Sequence, residues 1–239
     1  MSETNESDEK KGKWFNSESV NNITQTLALV GAGIWGIYTF IYQAQIVPTL
    51  APPTLSVTSN LEKAGQKGDK DAILATITRS NVGQTSVKVL GYTFNVIGVK
   101  QGFLNENETN PAFLQNTQAS SSTVREARRY GSPEKAETIM HFGRLFKGAS
   151  DLSAELADLN PGESLSRVFI FYADRSKFDY ITIRVRFVYM KLADPPIPLT
   201  LEVDKEGLLS AKLDAACTNV PDKCRSINTT EFTTIFSLW

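Results

Sequence analysis

The rhythm of apolar and polar positions changes twice along this chain. From Ser19 to Leu61, 43 consecutive positions carry no Asp, Glu, Lys or Arg. Within that stretch Leu27–Val47 is apolar on every side, with Thr39, Gln43 and Gln45 as its clearly polar members. A helix of that length reaches about 31 Å, which matches a hydrocarbon layer roughly 30 Å thick. The pattern predicts a transmembrane helix over 27–47, a cytoplasmic tail over 1–26 and a stiff Pro-rich linker over 48–54 (PTLAPPT), where prolines stop the helix and favour an extended chain.

After the linker the period falls to two. Leu55, Val57, Ser59 and Leu61 alternate with polar neighbours, and so do Ile73, Ala75 and Ile77, the spacing of half-buried strands. In VKVLGYTFNVIGV the inward set switches from Val87/Val89 to Tyr92/Phe94/Val96, so a one-residue bulge is expected near Gly91. The rhythm lapses over 103–158, read as a long polar insertion with an ambiguous apolar run at 134–147 and a short helix or turn at 150–159. It returns in LSRVFIFY (165–172) and most clearly in 180–189, where Ile181, Ile183, Val185, Phe187 and Tyr189 point inward. About seven strands with turn signals between them predict a mainly-β fold, a β-sandwich over 55–192. Residues 193–239 form a C-terminal extension, ending in a last strand or a docking aromatic tail (FTTIFSLW).

Three short motifs resemble immunoglobulin-like extracytoplasmic modules of the CARDB group. They are Asn81-Val82-Gly83 between two strands, Leu159-Asn160-Pro161-Gly162-Glu163-Ser164 leading into another, and Tyr180-Ile181-Thr182-Ile183, with Tyr180 as a candidate tyrosine corner. The resemblance covers 55–192 and implies adhesion, spacing or assembly without catalytic residues.

Charge sets orientation more than partners. Beyond the helix the chain holds 22 basic and 21 acidic residues, too balanced to attract a polyanion, so nucleic acid is not an expected partner. Lys10, Lys11 and Lys13 precede the helix, whereas its other flank is uncharged until Glu62. By the positive-inside rule the tail stays cytoplasmic and the body crosses the plasma (inner) membrane. The apolar run exceeds the 7–15 residues of a signal-peptide core and lacks a small-x-small cleavage site, which favours an uncleaved anchor. Cys217 and Cys224, the two cysteines, bracket a turn in the exported part. A disulfide is the favoured reading there, with two unrelated thiols as the alternative.

Candidate chemistry is sparse. Gly31-Ala32-Gly33-Ile34-Trp35-Gly36 fits G-x-G-x-x-G, yet no acid stands about 20 positions on to bind a ribose, so no cofactor is expected. The lone His141 has no nucleophile elbow or second metal ligand near it in sequence, and no catalytic or metal site is expected. Ala28, Ala32 and Gly36 form a small-residue ridge suited to helix–helix packing and homo-association. Arg125, Arg128 and Arg129, with Arg184 and Arg186, are the candidate partner-binding cations, although a solvated face explains them as well. The leading expectation is a non-catalytic accessory or scaffold subunit whose partners are the lipid bilayer and another membrane or envelope protein. The alternative is an extracytoplasmic ligand-binding or sensor module.

Overall fold

The computed structural model describes residues 17–103, 130–213 and 226–239. The chain divides into two units, Met1–Leu50 and Ala51–Trp239.

The first unit is helical. α1 (Ser17–Ile37) runs into a π-helical stretch, Tyr38–Ile46, and then into one more α turn, α2 (Val47–Leu50). At the junction the Val47 N–H bonds the Tyr42 carbonyl, one residue further back than in an α-helix. The helix starts ten residues before the apolar run because Asn, Thr and Gln at 21–26 interrupt hydrophobicity without interrupting helical geometry. Thr24 and Thr26 hydroxyls turn back to the Val20 and Asn22 carbonyls, both at 2.9 Å. Helical geometry also passes the expected linker start, continuing through Pro48 to Leu50. The 24 residues Val20–Gln43 are long and apolar enough to cross a membrane, a property that signal sequences share.

The second unit is mainly β and antiparallel. β1 (Leu55–Lys67), β2 (Lys70–Asn81) and β6 (Ser164–Asp174) form a sheet in the order β1-β2-β6. A second sheet runs β10-β7-β3-β4, built from β3 (Val87–Phe103), β4 (Tyr130–Leu145), β7 (Tyr180–Lys191) and β10 (Asn228–Ser237). β5 (Asp158–Leu159) pairs with the start of β3, and β8 (Leu199–Val203) and β9 (Leu209–Leu213) make a separate hairpin.

The two sheets stack on one core. Ile73, Ala75 and Ile77 of β2, Phe169 and Phe171 of β6, Phe94 and Val96 of β3, and Ile181–Val185 alternates of β7 share it. Phe94 stacks on Phe169 across the layers, centroids 4.4 Å apart and planes within 10°. Each such ring withdraws enough apolar surface from water to contribute about 2–3 kcal/mol. The Ser59 and Thr234 hydroxyls hydrogen-bond between β1 and β10.

The expected bulge is present. β3 pairs Val89 with Tyr189 and Gly91 with Val188, so Leu90 is the extra residue. It turns to the other face of the sheet, where it packs with Val188, Met190, Ile197 and Leu199. The bulged backbone lies close to β4: a Cβ on Gly91 would sit 2.7 Å from Leu145 Cδ2 and 2.9 Å from the Arg144 carbonyl.

Inside the expected insertion one reading changes, and at 150–159 the turn alternative holds. The ambiguous run at 134–147 belongs mostly to β4, a 16-residue strand paired with β3. Its alternation is masked in sequence because its side chains from Ile139 to Leu145 stay partly exposed on both faces, apart from the exposed His141. Residues 150–159 form turns and β5 and contain no helix. The terminal FTTIFSLW is strand to Ser237, with Phe232 and Phe236 against the core and Trp239 exposed.

Two of the three quoted motifs meet in space. Asn81 is buried and its amide donates to the Thr85 and Leu159 carbonyls, both at 2.9 Å, while its oxygen accepts from the Gly83 N–H at 3.0 Å. The Asn160–Glu163 turn closes with Gly162 at φ +81°, the left-handed position that glycine fills readily in a type II turn. The Gly162 N–H then bonds the Asn81 carbonyl at 2.9 Å. Tyr180 opens β7, half-buried, opposite Val99 and Ser237.

Candidate functional site

Strand alternation places the site. On β2 the inward row Ile73, Ala75 and Ile77 continues through Arg79 to Asn81, so a guanidinium is driven into the space between the sheets. On β6 the inward row Phe171 and Phe169 continues to Arg167 and Leu165, where the strand opens to solvent. Tyr92, just past the β3 bulge, faces both. Together with Phe94, Phe146, Val185 and Phe187 these side chains enclose a cavity of about 140 Å³.

The cavity is apolar in its walls and cationic in its polar groups. Arg79 Cζ lies 5.4 Å from the Phe146 ring centre and 5.9 Å from that of Phe187. Arg167 Cζ lies 5.0 Å from Phe142, 5.4 Å from Phe169 and 5.8 Å from Tyr92. Such stacking holds each guanidinium by cation–π attraction while leaving its N–H edges free for an acceptor. Tyr92 stacks on Phe187 at 5.3 Å, which fixes its ring.

Two buried donors at the cavity have no hydrogen-bond partner among the described residues: Arg79 Nε and the Tyr92 hydroxyl. Arg79 is 8% exposed and Tyr92 4%. Burial pushes the Arg79 guanidinium below its ordinary value, against the opposing pull of Tyr92 and Glu155, with Arg167 adding to the lowering. Burial likewise pushes the Tyr92 phenol up, and Arg167, Arg144 and Arg79 restrain that rise. Glu155 is the one acid in the wall, and it is ion-paired with Arg144.

The other buried charge of β2 makes the contrast. Asp71, at the far end of the same inward row, sits 2.9 Å from Lys63 Nζ and 3.5 Å from Arg175 Nε. These are ion pairs without well-aligned hydrogen bonds, since Asp71 Oδ1 meets no hydrogen-bond criterion. Asp71 therefore has its counter-charges within the fold, and Arg79 has no acid within ion-pair distance among the described residues.

The sequence-derived candidates fall elsewhere. Arg184 and Arg186 lie on the opposite face of the β7 sheet, in a groove of about 180 Å³ under the β8–β9 hairpin with Asp204 and Glu231. Arg184 Nε is 3.4 Å from Glu231 Oε1, and Arg186 is the cross-strand neighbour of Glu231. The hairpin over them is held by Asn95, whose amide donates to the Leu209 carbonyl at 2.9 Å and whose oxygen accepts from the Leu209 N–H at 2.8 Å. Ala28, Ala32 and Gly36 lie on α1, and a Cβ added at Gly36 meets nothing within 4 Å. His141 is an exposed residue of β4. Arg125, Arg128, Arg129, Cys217 and Cys224 lie outside the described residues. No cluster of metal-ligand side chains occurs among those described.

The sequence pattern marks Tyr92 as inward, and it also holds a signal for Arg79 and Arg167, which the candidate cations above do not include. Extending the alternation of Ile73–Ile77 by one step puts Arg79 inside, and counting back from Phe169 puts Arg167 on the same inward row at its exposed end.

No protein-family model matches the chain, and no curated protein matches it. Among solved structures it is similar to the ApaA protein of Bordetella pertussis (11% identity, 76% of this chain and 93% of that one, TM-score 0.34). It is also similar to a structural-genomics protein designated SoR45 (9%, 74% and 84%, TM-score 0.32). A third is Spo0M, the sporulation control protein of Bacillus subtilis (9%, 75% and 90%, TM-score 0.30). All three TM-scores lie below 0.5.

Proposed function

We propose that this chain is a single-pass protein of the plasma (inner) membrane, its N-terminus cytoplasmic, whose extracytoplasmic head is a non-catalytic ligand-binding module. The observation that carries this reading is the pair of buried, unpartnered donors, Arg79 Nε and Tyr92 Oη, at a cavity between the sheets. A buried donor without an acceptor costs about 1–3 kcal/mol, more when charged. A fold that retains two of them side by side is suited to a ligand that supplies the acceptors.

An immunoglobulin-like sandwich is part of the same proposal. Reading β1, β2, β3, β4, β6, β7 and β10 as A, B, C, C′, E, F and G turns the two sheets into A-B-E and G-F-C-C′. The cavity then lies between strands B and E of one sheet and C and F of the other. The anchor reading rests on the uncharged helix and on the lysines before it.

Native mass spectrometry of the full chain, released from mild detergent, tests the ligand-binding reading. The expected result is a small molecule that leaves on unfolding and is absent from the Arg79→Met protein. A bare chain under gentle conditions, with a melting temperature that no small-molecule panel moves, overturns it.

The accessory-subunit role is the second reading, favoured by a separate observation. Among the described residues β6 pairs with β2 alone, and Val168, Ile170 and Tyr172 on its outer face are all more than half exposed. No charged side chain guards that edge between Arg167 and Asp174. In this reading a strand of a partner protein adds to β6 by backbone hydrogen bonds. In-membrane crosslinking from position 170 identifies that partner, and the absence of any crosslinked species removes the reading.

A further inference from the structure

We infer that the cavity takes a small monocarboxylate with a compact apolar body, of the size of one aromatic ring or a short alkyl chain. This rests on the reading of the cavity as a ligand site and names the ligand class for it.

Charge comes first. Three guanidinium groups, those of Arg79, Arg144 and Arg167, stand around the cavity against one carboxylate, Glu155, which Arg144 already holds. A neutral ligand leaves Arg79 and Arg167 without a counter-charge. An anion supplies one, and Arg79 and Tyr92 both line the cavity. Arg79 Nε and the Tyr92 hydroxyl are closed to water, so a small side-chain shift brings these donors, which suit a planar carboxylate, to the ligand.

Size and polarity come next. A cavity of about 140 Å³ is close to the roughly 150 Å³ apolar cavities that accept one benzene. Ile77, Phe94, Phe169 and Val185 supply apolar wall. An inorganic anion would use the arginines and leave that wall in contact with nothing it can hold. A long acyl chain exceeds the space, unless its tail leaves past Leu165, which is half exposed at the open end. The carboxylate end is therefore specified by Arg79 and Tyr92, and the body by the aromatic wall.

The experiment uses the full chain in nanodiscs and isothermal titration calorimetry with benzoate, hexanoate, benzamide and inorganic phosphate. Benzoate or hexanoate should bind, with benzamide and phosphate at least ten-fold weaker. Arg79→Met should weaken the carboxylates at least ten-fold, and it also reports their partition into lipid. Tyr92→Phe, which removes one hydroxyl and nothing else, should weaken them three- to ten-fold without unfolding the protein. Arg184→Met, on the opposite face, should bind as the wild type does. Equal affinity for benzoate and benzamide overturns the ligand class and leaves a ligand site standing. Heat from phosphate alone also overturns it, in favour of a plain anion site. Silence with all four probes overturns both this inference and the reading beneath it.

Discussion

A single guanidinium decides how the head is to be understood, because Arg79 is an expense to the free fold. Its ring neighbours attract it by about 1–2 kcal/mol, yet its Nε has lost water and found no acceptor. Arg79→Met keeps the length and apolar stem and removes the charge. The ligand-free variant should be more stable than the wild type by about 1 kcal/mol, read as a raised denaturant midpoint at unchanged slope. A fall in stability would mean that Arg79 is held by the fold itself. Tyr92 gives a second residue-scale test, in pH. Its pKa is raised in the folded state from an ordinary value of 10.0. The folded protein thus holds a proton that the unfolded chain releases first, so stability is full below about pH 10 and falls as pH rises beyond it. Tyr92→Phe should show a shallower loss than the wild type in urea titrations between pH 9 and 11.

At the scale of elements, what was legible depended on whether one face of a strand is dry. β7 alternates cleanly because Ile181, Ile183, Val185 and Phe187 are buried while Arg184 faces solvent, and the pattern exposes it at once. The bulge in β3 was legible for the same reason: a switch of inward parity at Gly91 has few physical solutions. β4 was not legible, since from Glu137 to Leu145 no side chain on it is fully buried and half-exposed positions carry no strict pattern. Arg79 and Arg167 were legible in position but not in meaning, because alternation marks a residue as inward without saying what stands opposite. The bulge also sets a measurable constraint. Any side chain on Gly91 collides with Leu145 and with the Arg144 backbone of β4. Gly91→Ala should cost about 1–3 kcal/mol, the range for overpacking a closed site. It should also disturb Tyr92, the next residue, so carboxylate binding should weaken along with the melting temperature. A variant of wild-type stability would show that β4 can shift freely away from β3.

For the whole molecule, the two units carry separate physics, and the question that joins them is the compartment. The helical unit presents 24 uncharged residues, none of them buried within the described structure, a surface long and apolar enough for lipid. The apolar members of Leu27–Val47 each favour insertion by about 0.3–0.6 kcal/mol, whereas one Arg at the centre opposes it by about 2.5–3.5 kcal/mol. A single charge would therefore offset most of the gain, and two would reverse it. The wild-type protein should stay with membranes through alkaline carbonate, and the Ile34→Arg/Ile37→Arg double variant should be released. Protease added to cells stripped of any outer envelope should digest the head and spare the residues before the helix. Peptides from 1–16 recovered from the same membranes would separate a retained anchor from a cleaved signal, because cleavage leaves the head without them. Loss of those peptides together with a carbonate-soluble head would put the ligand site in free solution outside the membrane. A head shielded from external protease even in cells stripped of any outer envelope would place the cavity in the cytoplasm, where the positive-inside assignment from Lys10, Lys11 and Lys13 fails.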